Sequence, residues 1–316
     1  MSGRSLSERR VTLTGATGLI GPPVVAALQD AGARVSVLTR DPQRARERLQ
    51  REGSAPVDAF AWDLMHEPAP VQALEDRDAV VHLAGENIAQ RWSAQAKRAI
   101  RESRVTGTRN LLSGMRQAER PPRALVSASG VGYYGPHGEE PLDEEALPGG
   151  DFLSQVCMEW EAEASKAQAL RARVVCVRTG VVLHKDGGAL EKMLPPFRLG
   201  VGGPVAGGRQ YISWVHRDDV VGMILAAVGD ERWSGPVNAT APAPVSNRDF
   251  SRALGRALRR PALLPVPGLA LHLLYGEMAE IVTEGARVVP AKALVLGYEF
   301  AHPALDEALR AALSRG

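Results

Sequence analysis

An α/β fold, a doubly wound parallel sheet with a smaller and partly interleaved C-terminal lobe, is what this chain predicts. Three observations carry that expectation. A short apolar run leads into Gly15-Ala-Thr-Gly18-Leu-Ile-Gly21 and then directly into a helix start. Strand-length apolar runs follow, with helical patterns between them, as far as Thr179. Beyond Thr179 the pattern gives way to Gly- and Pro-rich connection, with Gly187-Gly188, Pro195-Pro196 and a glycine-rich stretch from Gly200 to Gly208.

The elements follow in order. The first strand, residues 11–14, ends in a turn where each glycine has a separate reason. Gly15 permits a tight turn, Gly18 lets the backbone approach a pyrophosphate, and Gly21 lets helix and strand pack closely. Together with Thr17, Leu19 and Ile20, they aim the first N–H groups of the helix at anionic oxygen. That helix starts at Pro22-Pro23, where the missing N–H groups have no helical partner to lose, and stops before Gly32. The second strand spans residues 34–39, the third 57–62 and the fourth 79–83; these run into Thr39-Arg40, Asp63 and Ala84-Gly85-Glu86-Asn87. The fifth, residues 124–128, runs into Ser129, and a long helical stretch over 152–170 leads to the sixth, residues 174–178. A helix over 218–228 and a strand over 236–239 return to the same sheet. The expected division is a dinucleotide-binding Rossmann domain of residues 1–180, rejoined by 216–240, and a substrate lobe of 181–215 and 241–316. Parallel sheets place ligands beyond the carboxyl ends of their strands, so all these strand ends line one crevice.

Composition narrows the partners. The 38 basic and 36 acidic residues give a net charge of +2, and basic runs such as residues 44–51 are interleaved with Glu47 as on a solvated helix face. Nothing points to nucleic acid, and the expected partner is a small molecule. Cys157 and Cys176 have no paired-cysteine spacing for zinc, so no metal is expected and a reducing cytoplasm is the expected compartment. Residues 1–10 lack a signal-like apolar stretch, and no run approaches the roughly 18 apolar residues of a membrane span.

The end of the second strand selects the cofactor. NAD sites place a carboxylate there, roughly 20 residues after the glycines, to bind the ribose 2′-hydroxyl. This chain has Thr39-Arg40 instead. A guanidinium offers a fork of donors to a phosphate, which points to the 2′-phosphate of NADP(H). Asp41 then reads as a helix N-cap before Pro42. Asp63 has two readings, an acceptor for the adenine amino group or a cap on a strand-end turn.

With these residues in place the chain resembles the extended short-chain dehydrogenase/reductases over nearly its whole length. The resemblance lies in His82-Leu-Ala-Gly85, Ser127-Ala-Ser129, Tyr134-Gly135, Arg178-Thr-Gly180 and Trp214-Val-His216-Arg-Asp-Asp219. More closely it resembles the atypical, epimerase-like family 39U, through Gly85-Glu-Asn-Ile88 with Arg91-Trp92, Ser103-Arg-Val-Thr-Gly-Thr108, the Trp160-Glu161 helix and the small C-terminal domain. The resemblance implies NADP(H) binding, with Leu83, Ala84, Gly85 and Arg178 among the cofactor-site residues. It does not supply a substrate.

The catalytic pattern of that superfamily breaks here. Its tyrosine acts as acid/base with a lysine four residues on, whose charge lowers the tyrosine pKa. The five tyrosines of this chain are followed at that spacing by His137, Gly138, Val215, Ala279 and His302. On the helix that should carry the pair, Cys157 and Glu161 share a face at i,i+4. A carboxylate raises a neighbouring thiol's pKa, so Cys157 reads as packing rather than as a nucleophile.

The remaining candidates for chemistry are Ser129, Tyr134, Glu86 and His216. Ser129 would position a carbonyl or hydroxyl oxygen, and one of the other three would handle the proton. Tyr134 can instead pack under the second lobe, and His216 can be a structural hydrogen-bonder. Arg178, Lys192 and Arg209 with Gln210 form a possible anion site. Two functions follow: a hydride-transfer enzyme working without the tyrosine–lysine pair, or an NADP(H)-binding sensor or scaffold that lacks catalysis.

Overall fold

A computed structural model describes residues 6–314, except the side chains of residues 270, 272, 274 and 275. Seven parallel strands form the main sheet: β1 (Arg10–Thr14), β2 (Arg34–Thr39), β3 (Asp58–Ala61), β4 (Ala79–His82), β5 (Ala124–Gly130), β6 (Arg173–Thr179) and β7 (Gly235–Ala239). Their order is β3-β2-β1-β4-β5-β6-β7. The order reverses at the β1/β4 boundary, where an open α/β sheet leaves its ligand crevice. The sheet has the expected doubly wound form.

Alternation along the strands explains the two layers. Val81, Val126, Val175 and Val177 join Val24, Val25 and Leu28 of helix α1 (Gly21–Asp30) in one core. Val80, Leu125, Val174 and Cys176 face the other way, onto Leu111, Leu112 and Met115 of α3 (Ala94–Gln117). Strands buried on both faces read as continuous apolar runs, and each fully buried Val or Leu contributes about 1.5–3 kcal/mol. The same face that receives α3 also receives α4 (Phe152–Ser165). The expected helical stretch over 152–170 ends as regular helix at Ser165, and Lys166–Leu170 tightens into a 3-10 turn.

Helix α2 (Pro42–Arg51) starts as the sequence suggests, with Asp41 accepting the Arg44 N–H at 3.0 Å. The C-terminal lobe has its own core of Leu190, Leu194, Phe197, Trp214, Phe250 and Leu309. It contains α5 (Gly188–Arg198) and α7 (Asn247–Leu258), while α6 (Arg217–Gly229) packs beside α1 in the first core. Among the described residues, no helix is long and apolar enough to cross a membrane.

Candidate functional site

The glycine turn is built for close approach. Gly15 has φ +71°, and a Cβ there would lie 2.7 Å from the Leu83 carbonyl carbon. A Cβ on Gly21 would lie 2.5 Å from Ala16 backbone. At Gly18 the nearest atom to such a Cβ is the Gly15 oxygen at 3.4 Å, so the fold itself leaves this position open. No side chain caps α1, and its first turn carries prolines. These are the features of an anion cradle. Leu19 reaches up to the second lobe, where a Cβ at Gly187 would come within 2.6 Å of it.

The neighbouring strand end is wired to this turn. Thr14 Oγ1 accepts the Ala84 N–H at 3.2 Å and lies 2.7 Å from His82 Nδ1, while His82 Nε2 is 3.2 Å from Thr108 Oγ1. His82 is fully buried, and burial followed by the Arg104 charge pushes its imidazole down to about 4. It is a neutral bridge that fixes the loop at Leu83 and Ala84.

Arg40 is exposed just past β2, with Thr39 beside it accepting the Asp41 N–H at 3.4 Å. Asp63 serves as the turn cap: its Oδ1 accepts the Met65 N–H at 2.9 Å, and His66 Nδ1 lies 3.4 Å from Oδ2. Gly85 and Glu86 are exposed past β4, and Glu86 donates its N–H to Ser103 Oγ at 2.9 Å.

Ser129, Arg178 and Asn238 are register partners on β5, β6 and β7, so their side chains share one face. Ser129 Oγ donates to Glu161 Oε1 at 2.6 Å. Arg178 gives Nε and Nη2 to the two Glu161 oxygens at 2.8 Å each, and Nη1 to the Tyr134 hydroxyl at 2.9 Å. The Tyr134 hydroxyl donates in turn to Asn238 Oδ1 at 2.7 Å. Glu144 closes the cluster by accepting the Asn238 and Lys292 N–H groups.

This network corrects two expectations. Tyr134 is fully buried beneath the site rather than in it, because the 3-10 turn Val131–Tyr134 carries the ring inward. Burial, opposed by Arg178, pushes its phenol up to about 12, so it is no proton carrier near neutrality. Arg178 is 3% exposed and its guanidinium is spent on Glu161, Tyr134 and the Glu144 carbonyl. Burial alone would lower its pKa, but the Glu161 carboxylate holds it above the usual range. These contacts turn Arg178 toward the buried cluster rather than toward the glycine turn.

Cys157 and Glu161 stand where the helix register puts them, facing the end of β5. The Cys157 thiol is within hydrogen-bonding reach of Ser129 and the Gly130 backbone, and burial, with Glu161 adding to it, pushes the thiol up to about 11. The thiol stays protonated and fits the packing role.

His216 is also corrected. It caps α6, its Nδ1 accepting the Asp218 N–H at 3.2 Å, and its ring lies against His302 with centroids 3.8 Å apart and planes tilted by 49°. Burial drives its pKa below the ordinary histidine value. The cavity it lines includes Thr17, Gly18, His184, Asp218 and His302 but neither Glu86 nor Ser129. His216, Asp218 and His302 bring potential ligand atoms within 4.8 Å of one another. The possible anion site also disperses: Lys192 donates to the Ala89 carbonyl, Gln210 to the Val205 and Val282 carbonyls, and Arg178 to Glu161.

Sequence reasoning missed Arg104, which donates to the Glu86 carbonyl. Its signal was available: it is a charge on the α3 face formed by Ile100, Ser103, Gly107 and Thr108, all of which are buried.

Comparison with known proteins agrees with this architecture. The model of the NAD dependent epimerase/dehydratase family matches residues 11–238, and a domain of unknown function, DUF1731, matches residues 266–312. The chain is 40% identical over 313 residues to the Arabidopsis thaliana chloroplastic homolog of epimerase family protein SDR39U1, covering 98% of this chain and 88% of that protein. Human epimerase family protein SDR39U1 is 35% identical over 307 residues, covering 95% and 98%. A crystal structure of that human protein with NADPH superposes with a TM-score of 0.83 at 33% identity, covering 96% of this chain and 98% of the other. The chain therefore belongs to the NAD dependent epimerase/dehydratase family, with a DUF1731 domain following the matched region.

Proposed function

We propose that this protein is an NADP(H)-dependent oxidoreductase that moves hydride to or from a small carbonyl or hydroxyl compound without a tyrosine–lysine pair. The observation that carries the reading is the glycine cradle, open at Gly18 and uncapped at α1, with the exposed Arg40 at the end of β2. The human relative solved with NADPH supports the choice of cofactor. Gly15, Thr17, Gly18, Leu19, Ile20 and Gly21 would hold the pyrophosphate, Thr39 and Arg40 the 2′-phosphate, and Leu83, Ala84 and Gly85 the ribose side. When bound, the nicotinamide supplies the hydride chemistry.

The chain's own part is positioning. Ser129 gives its proton to Glu161, so its lone pairs are what it presents to a substrate hydroxyl. Glu161 is locked by both Arg178 contacts and cannot swing away. Glu86, exposed past β4, is the remaining candidate for the proton. A second reading, a sensor that binds NADP(H) without turnover, is favoured by one observation: Tyr134, Cys157 and His216 all shift away from neutrality.

The test is oxidation of bound NADPH on adding aldehydes, ketones and quinones. Turnover with one class, reduced about tenfold or more by Ser129→Ala with NADPH affinity held within about threefold, is the expected result. Bound NADPH that no class oxidises would favour the sensor.

A further inference from the structure

Arg104 holds a guanidinium beside the loop after β4, with only its Nη1 hydrogen-bonded among the described residues. Its Nη1 donates to the carbonyls of Glu86 and Ile100, both at 3.0 Å. Its Cζ lies 5.0 Å from the Trp160 ring centroid, and a Cβ on Gly85 would come within 3.3 Å of it. The group is thus clamped between the loop after β4 and helix α4. Its Nε and Nη2 have no acceptor among the described residues, and no described carboxylate pairs with it. Glu86, whose charge acts on Arg104, accepts instead from Gln90 Nε2 through Oε1 at 3.2 Å. Burial lowers the Arg104 pKa, opposed in part by the Glu86 charge, and its unbonded edge is not among the buried polar atoms of the described residues.

The molecule itself shows what fits such an edge. On Arg178, Nη1 is likewise anchored on neutral oxygens, and the Nε/Nη2 edge is filled by the two oxygens of one carboxylate. This is the fork geometry that guanidinium and carboxylate share. On Arg104 the matching edge is open beside Gly85 and Glu86, with the neutral Cys157 thiol close by on α4. One fixed positive charge suits one negative charge.

We propose that Arg104 anchors a carboxylate of the substrate, so that the substrate class is a carbonyl or hydroxy acid. The proposal rests on the crevice between β4 and β5 being the substrate site of the oxidoreductase described above. Through Nε and Nη2 the guanidinium takes the two carboxylate oxygens, and this sets the acid's reactive carbon toward Ser129. The charge that a tyrosine–lysine pair would place on α4 is supplied here from α3.

The experiment titrates phenylpyruvate and 2-oxobutyrate, and the neutral amide of each, into the native protein with and without NADPH, read by calorimetry. At least one acid should bind about tenfold or more tighter than its amide. Arg104→Gln should erase that preference while NADPH affinity stays within about threefold, and Arg104→Lys should keep part of it. Equal binding of acid and amide, no binding of either acid, or a preference that survives Arg104→Gln would overturn the anchor. If Arg104→Gln does not fold, Arg104→Lys and the acid–amide difference on the native protein decide. NADPH that fails to bind the native protein would refute the cofactor reading alone, since the acid titration without NADPH is scored separately.

Discussion

The polar cluster under β5–β7 and the mouth above β1 and β4 are built from similar residues and put to opposite uses. Beneath β5–β7 each strong donor meets a strong acceptor: Arg178 with Glu161, Tyr134 with Asn238, the Asn238 N–H with Glu144. At the mouth the donors are left over: the uncapped start of α1, the exposed Arg40 and the outer edge of Arg104. A satisfied network specifies a fold, and an unsatisfied one specifies a ligand. The difference teaches where to look for binding: not where polar residues are concentrated, but where they lack partners.

Breaking the cluster should have the largest effect. Arg178→Ala leaves Glu161 without its guanidinium in a site where that side chain is only 12% exposed. A loss of about 3–5 kcal/mol is expected, the usual cost of stranding one member of a buried pair. Urea denaturation measures it; a loss under about 1 kcal/mol would remove the cluster's claim to hold the fold.

Changes at the mouth should reverse the pattern, with binding lost and stability kept. Gly18→Val puts a branched side chain where the structure has room but a pyrophosphate needs it, so NADPH affinity should fall by about a hundredfold or more, roughly 2.7 kcal/mol, in a protein that still melts cooperatively. Unchanged NADPH binding would make the glycines merely a turn. Arg40→Glu is a smaller perturbation. It should cost about ten- to a hundredfold in NADPH affinity by fluorescence titration while leaving NADH affinity unchanged, since only the 2′-phosphate is addressed. Parallel losses for both cofactors would show that Arg40 does not read the phosphate.

The same contrast explains what the sequence could reveal. The glycine turn, the Asp41 cap and the β-α alternation are legible because their causes lie within a few residues: Asp41 caps Arg44, and Gly18 returns its N–H to Gly15. The cluster was not legible, because Arg178 meets a carboxylate 17 positions away and a phenol 44 away, and that phenol meets an amide 104 away. Tyr134 and Arg178 look like site residues by their place at strand ends, and only tertiary pairing shows their edges to be filled. Arg104 is the converse case. A charge on a buried helix face was visible in the sequence, but its open edge appears only once Glu86 is seen to bond Gln90.

Cys157 sits where the two regions meet, and it gives the smallest effect and the sharpest test of the boundary. Its helix face turns toward Ser129 and Glu161, on the satisfied side, yet Arg104 is close enough for its charge to reach the thiol. If it belongs to the fold, Cys157→Ala removes a buried sulfur and costs about 1 kcal/mol, with NADPH affinity unchanged within about threefold. Its titration supplies an independent reading. The thiol is held up to about 11 in the folded protein, against roughly 8.5 for a free cysteine, so the folded chain keeps a proton that the unfolded chain gives up. That contribution is fully present below about pH 8.5 and is lost as pH rises toward 11. Cys176 is shifted in the same direction, to about 12, so both thiols add to the alkaline slope. Cys157→Ala should therefore flatten the fall in stability between about pH 8.5 and 10 without abolishing it, as measured by urea denaturation at several pH values. An unaltered slope, or rapid alkylation of Cys157 by iodoacetamide near pH 7, would mean that the thiol is exposed and ionised. Cys157 would then belong to the reactive mouth and not to the packed cluster.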